Sequence, residues 1–161
     1  MDAITHTSIL GYLASILALL SYIPYFRDIF LGRTKPHAFS WLIWGILQGT
    51  AFAVQIVGKG GAGAWITGVV ALICFIVFML AIFKGEKSFP PFDWFCLLLA
   101  LTAIALWFFT KDPTASIILI VLTDAIGFLP TFRKTYFEPH QETATLFVFS
   151  GITHLLSLFA L

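Results

Sequence analysis

Apolar residues in this chain fall in six long runs, each closed by a short cluster of charged residues, glycine or proline. Runs near 20 residues match the thickness of a bilayer at about 1.5 Å per helical residue. The pattern predicts an all-α polytopic membrane protein with six transmembrane helices, over about 9–30, 39–57, 64–83, 92–109, 115–132 and 143–161. Residues 1–7 are not basic and no small-residue cleavage site follows, so the first run is expected to be a retained helix. The loops are too short to hold a soluble domain. The chain, 1–161, therefore reads as one transmembrane domain.

Composition agrees with the pattern. Of the 161 residues, 60% are apolar and 11% charged, where a soluble domain carries about 25% charged residues. Cys74 and Cys96 lie inside apolar runs and read as small packing residues. A net charge of +1 gives no electrostatic case for nucleic acid. The distribution of charge is more informative than its sum. Arg27, Arg33, Lys35, Lys84, Lys87, Arg133 and Lys134 fall on one side of the expected spans, against Lys59 and Lys111 on the other. The positive-inside rule then puts both termini on the non-cytoplasmic face of the cell (inner) membrane.

The chain also repeats weakly. Displaced by 106 residues, Pro24 falls on Pro130, Phe26 on Phe132, Arg27 on Arg133, Ala38 on Ala144, Gly45 on Gly151 and Ile46 on Ile152. Helices 1–2 thus match helices 5–6. Helices four apart cross in the same direction, so the repeat is parallel. Unit A covers about 9–83, unit B about 115–161, and the helix over 92–109 links them.

A proline late in the first helix of each unit, Ser21-Tyr22-Ile23-Pro24-Tyr25-Phe26-Arg27 and Ala125-Ile126-Gly127-Phe128-Leu129-Pro130-Thr131-Phe132-Arg133, followed by a basic loop, resembles the PQ-loop superfamily. That group includes SWEET and SemiSWEET sugar carriers, cystinosin-like proton-coupled exporters and KDEL receptors. The resemblance covers helices 1–2 and 5–6. It implies a small-solute carrier with its N-terminus outside. The departures are plain: the motif pairs are Pro24-Tyr25 and Pro130-Thr131, six helices replace seven, and the chain contains no asparagine. A six-helix chain could complete itself as a homodimer.

Asp124 is the sharpest chemical signal. It lies 12 residues after Asp112 and 9 before Arg133, roughly 13–18 Å from either helix end and so near the bilayer centre. A carboxylate there costs about 2.5–3.5 kcal/mol on insertion scales and marks a functional site by default. The resemblance adds that cystinosin-like carriers hold an aspartate at a similar distance before their second motif. The alternative is an aspartate that bonds a neighbouring helix. His154 is the expected partner, on a stripe with Phe147, Ser150 and Ser157. Its repeat mate on helix 2 is Trp41, Trp44, Gln48 and Ala51, extended by Gln55. These stripes point to a shared substrate cavity, with Asp124, His154, Gln48, Tyr25, Thr131 and Ser150 polar and Trp41 and Trp44 packing the solute. Against this, interfacial tryptophans are ordinary anchors, and His154 could be a neutral imidazole bonded to a carbonyl. Pro24 and Pro130 each remove a helical hydrogen bond, as paired hinges or as static kinks. Arg27 and Arg133 read as cytoplasmic anchors, and Gly45 with Gly49 as a close-packing face.

There is no phosphate-binding glycine loop, metal-ligand spacing or nucleophile set. The expectation is a non-enzymatic carrier of a small polar solute, coupled to protons through Asp124, needing no cofactor or metal. A receptor or assembly protein on the same fold is the second reading. An intramembrane enzyme using Asp124 and His154 is the third.

Overall fold

The computed structural model describes residues 2–58, 61–110 and 113–159. It describes side chains there except at 2–14, 61–63, 113, 116, 154 and 156–159. Among the described residues the fold is all helical: α1 (Asp2–Phe30), α2 (Ala38–Val57), α3 (Gly61–Lys84), α4 (Pro91–Phe109), α5 (Pro113–Phe137) and α6 (Ala144–Phe159), with a short 3-10 turn over Pro139–Gln141. The chain divides into two compact units, Met1–Thr34 with Glu142–Leu161, and Lys35–Gln141.

In the first unit α1 packs on α6. Helix α1 ends in a Schellman turn, with Gly32 N–H donating to Ile29 O at 3.1 Å and Arg33 N–H to Asp28 O at 2.9 Å. The turn needs a left-handed residue, which Gly32 supplies at φ 70°. Across from it, the Thr143 hydroxyl at the start of α6 donates to Asp28 Oδ2 at 3.1 Å and bonds the Thr34 hydroxyl. The Tyr25 ring is fully buried and meets Phe147 edge-on, centroids 6.5 Å apart.

In the second unit α2 is central and packs against α3, α4 and α5, while α4 also packs on α5. Ile43, Leu97 and Ala100 form the core, with Phe39, Leu42 and Ile126 against it. Gly45 and Gly49 of α2 face the Phe75 ring of α3, so the small-residue face read from the sequence seats an aromatic side chain.

On α3 and α4 many of the largest apolar side chains are turned outward. Helix α3 turns Ala64, Ala71, Cys74, Val77 and Ala81 inward, while Trp65, Leu72, Met79 and Phe83 are exposed. Helix α4 buries Cys96, Leu97, Ala100, Ala103 and Ile104 and exposes Trp94, Phe95, Leu98 and Phe108. Small residues inside and large apolar residues outside is the arrangement of helices solvated by lipid, where close backbone approach drives packing. Among the described residues, three helical stretches are long and apolar enough to cross a membrane: Ala38–Val57, Ala64–Lys84 and Pro91–Phe109.

The helix limits differ from expectation at three places. Helix α1 begins at Asp2 and α3 at Gly61, inside the glycine-rich stretch expected to be a turn. Helix α5 continues to Phe137, so Arg133 and Lys134 are helical rather than in a loop. They stay on the helix because both have partners. Lys134, 1% exposed, donates to Lys35 O at 2.5 Å and Gln141 O at 2.8 Å. Pro139 then ends the helix, since the residue before a proline leaves the helical region.

Candidate functional site

Asp124 lies on α5 in a groove of about 400 Å³ within the second unit. Helix α2 supplies Leu47, Gln48, Thr50, Ala51, Val54 and Gln55, a face that recurs with the helical period. Helix α4 supplies Trp107, and α5 adds Ile120 and Val121 to Asp124. The walls are mostly apolar. Four side chains bring polar ends: the Asp124 carboxyl, the Gln48 and Gln55 amides and the Thr50 hydroxyl. The Thr67 hydroxyl of α3 donates to Gln55 Oε1 at 3.0 Å, which fixes that amide. The Thr50 hydroxyl is turned back onto Ile46 O at 2.8 Å and keeps only its acceptor side for the groove. A pocket of this size with few polar groups has the make-up of a small-molecule site.

The remaining residues singled out from the sequence are distributed as follows. Gln48 joins Asp124 in the groove. Trp41 and Trp44 do not line it; both are buried, at 2% and 8% exposure. Their rings meet edge-on at 5.3 Å, and Trp44 lies 4.6 Å from Phe128 of α5. Trp44 packs α2 on α5 at Gly127, where an added Cβ would come within 2.9 Å of its Nε1. That indole N–H is buried without a hydrogen-bond partner among the described residues. The Thr131 hydroxyl donates to Ser40 Oγ at 2.9 Å, a buried link between α5 and α2. Tyr25 is in the core of the first unit, and Ser150, half-buried on α6, accepts the Thr153 hydroxyl at its carbonyl at 2.8 Å. The side chain of His154 lies outside the described residues. Pro24 and Pro130 lie inside α1 and α5, which continue through them. Arg27 is exposed and pairs with its neighbour Asp28 at 2.9 Å.

Arg133 has a role that the sequence did not reveal. Its guanidinium forks onto Asp93, Nε to Oδ1 and Nη2 to Oδ2, both at 2.8 Å. His37 Nε2 meets the same Oδ2 at 2.9 Å. The Asp93 and His37 side chains are fully buried and that of Arg133 is 21% exposed. Burial pushes the His37 pKa down, more than the Asp93 hydrogen bond and charge raise it, and the Arg133 and Lys134 charges lower it further. The neutral imidazole thus donates its Nε2 proton to the carboxylate. Its Nδ1 is buried without a partner among the described residues. The Phe39 and Phe89 rings meet the imidazole edge-on at 5.7 and 5.5 Å. Local sequence explains each position. Pro90-Pro91 starts α4, which puts Asp93 in the first turn, where the helix dipole favours a carboxylate. His37 is the residue before α2. The network ties the α2 and α4 starts to α5 and contains no nucleophile.

Comparison of the chain with protein-family models, with curated proteins and with solved structures finds no match.

Proposed function

We propose that this protein is an integral membrane carrier of a small polar solute, coupled to protons through Asp124. The observation that carries the reading is the convergence of Asp124, Gln48 and Gln55 on one groove whose other walls are mostly apolar. A membrane helix does not retain a carboxylate and two amides on facing surfaces without a use for them, because each costs free energy in lipid. The exposed apolar faces of α3 and α4 support the membrane setting. In this reading all six helices span the cell membrane, α1–α2 and α5–α6 form a parallel repeat like that of PQ-loop proteins, and both termini face away from the cytoplasm. Pro24 and Pro130 let the helices rock about the bound solute. The buried Asp93–Arg133–His37 network belongs to the basic, cytoplasmic end and holds α5 in place there.

The test is flux in liposomes that contain the full-length chain. An imposed pH gradient is expected to drive accumulation of a solute from a panel of sugars, amino acids, amines and nucleosides. Asp124→Asn should abolish the dependence on the gradient, and Gln48→Leu should raise KM by about tenfold, as expected when a buried hydrogen bond worth about 1.4 kcal/mol is removed. A folded, reconstituted protein that moves none of these solutes would overturn the carrier reading in favour of a receptor.

A further inference from the structure

Two cavities at the basic end of the second unit share Glu86 and Lys87. One, of about 470 Å³, is an apolar groove between the starts of α2 and α4 and the end of α3, walled by Phe39, Leu42, Phe78, Ile82, Phe89 and Trp94. Its rings brace one another: Phe39 stacks on Phe89 and meets Trp94 edge-on, each at 4.7 Å. Phe78 stands six residues before Lys84, the last of α3, so the groove runs roughly 9 Å along that helix from its loop. The other cavity, of about 450 Å³, is polar. Lys35, Lys84 and Lys87 line it together with Glu86 and Glu138. Both carboxylates accept protein donors: Glu86 Oε1 takes the Ser88 N–H and Glu138 Oε2 the Gln141 side-chain amide, each at 3.1 Å. Lys134 donates to the carbonyls of two lining residues, Lys35 and Gln141, and adds a fourth ammonium beside the cavity. The balance of charge is therefore positive. Backbone contacts hold the cavity together. Glu86 N–H donates to Pro36 O at 3.2 Å, and Gly85 lies so close to Pro36 O that no Cβ would fit. The loop that carries Lys87 is thus pinned to the residues before α2.

A ligand that uses both cavities at once is anionic at one end and apolar at the other. A free anion would leave the groove unused. An uncharged hydrocarbon would gain nothing from the surplus of lysines. Ile82, Phe83 and Trp94 are exposed at the rim, which is an apolar surface open to acyl chains. Basic pockets between helices at the cytoplasmic side are where anionic headgroups bind. We propose that the two cavities together bind one anionic glycerophospholipid, its phosphate among Lys35, Lys84 and Lys87 and an acyl chain in the aromatic groove. This rests on the membrane setting, with the basic end cytoplasmic, and not on transport.

Native mass spectrometry of the detergent-purified full-length protein counts the lipids it retains. Phosphatidylglycerol and phosphatidylcholine with the same acyl chains are offered together. One phosphatidylglycerol should be retained, preferred by about fivefold or more, which is the factor one lysine near a headgroup gives. Lys84→Gln with Lys87→Gln should weaken it by roughly five- to thirtyfold. Ile82→Trp, at an exposed wall of the groove, should weaken it with no change of charge. Arg27→Gln with Arg33→Gln removes as much charge elsewhere on the basic side and should alter retention by less than about twofold, since exposed distant charges are screened. Lys87→Gln alone, at the residue common to both cavities, replaces the lysine pair if that double variant does not fold. Equal losses in the lysine and arginine doubles would be a general attraction of the basic face and overturn the site. Equal retention of the two lipids, or of neither, overturns the anionic lipid. Inorganic phosphate that raises the thermal transition, and does so equally in Ile82→Trp, makes the polar cavity a free-anion site and also overturns it. Flux in liposomes is a separate readout, so loss of the lipid site leaves the carrier reading standing.

Discussion

Asp93 is the acceptor that Arg133 and His37 share in the second unit. It accepts two bonds from Arg133 and one from His37 while fully buried. Removing one partner of such a pair leaves a charge without compensation, at a cost of about 3–5 kcal/mol, while replacing both with apolar residues costs far less. Arg133 keeps some exposure, which places the loss for Asp93→Leu near 3 kcal/mol. Thermal unfolding of Asp93→Leu, Arg133→Met and the double variant tests this: the double variant should be more stable than Asp93→Leu alone. His37 adds a pH signature. Burial lowers its pKa in the folded state, so below about pH 6.5, the ordinary value, the unfolded chain takes up a proton that the native protein resists. Stability should be level above that pH and fall as the pH drops, by at most about 1.4 kcal/mol per unit, until the folded pKa is passed. His37→Gln should flatten that part of the profile; an unchanged slope would show that another group is responsible. None of this network was legible beforehand. Its members stand 56 and 40 residues apart, and each looks ordinary in its own stretch: an acid in the first turn after two prolines, a histidine after a proline, an arginine at the end of an apolar run. Asp124 was legible because a charge in the middle of an apolar run is anomalous by itself.

Helix existence followed from the apolar runs, and helix limits did not. Helix α5 outlasts its apolar stretch because Arg133 and Lys134 find partners in three dimensions, which hydropathy along the chain does not record. The facing surfaces were partly readable. Gln48, Ala51 and Gln55, read from the helical period as one stripe of α2, line one groove, whereas Trp44, read as part of the same stripe, packs against Phe128 of α5. The reason lies in Gly127, whose missing side chain lets the Trp44 indole approach α5. Gly127→Ala should force apart a contact made by rigid groups and cost about 1–3 kcal/mol. A smaller residue at position 44 should relieve the strain. The Gly127→Ala defect measured by thermal unfolding is therefore expected to shrink in a Trp44→Leu background, and a defect that simply adds to that of Trp44→Leu would place the strain elsewhere.

For the molecule as a whole, the choice between water and lipid as solvent decides what every exposed residue means. Leu98 on α4 is 63% exposed, with Phe95 and Leu101 exposed near it. In a water-soluble helix bundle, Leu98→Arg would be within about 0.5 kcal/mol of neutral, as surface changes usually are. In a spanning helix the same change puts a guanidinium near the bilayer centre at about 2.5–3.5 kcal/mol or more. Leu98→Arg should therefore lower the amount of folded protein recovered from membranes several-fold, while Leu98→Phe, which keeps the face apolar, should not. Glu86→Lys, in the loop between α3 and α4, serves as the charge control and should be tolerated, since it adds to the basic side. Equal recovery of Leu98→Arg and Leu98→Phe would mean that this face meets water. The inward small residues of α3 and α4 would then need another explanation, and the argument for a lipid-solvated carrier would lose its base. The expected asymmetry would tie the proposed carrier to one physical cause: large side chains point outward where the solvent that they face is apolar. The polar side chains of Asp124, Gln48 and Gln55 gather instead on one groove.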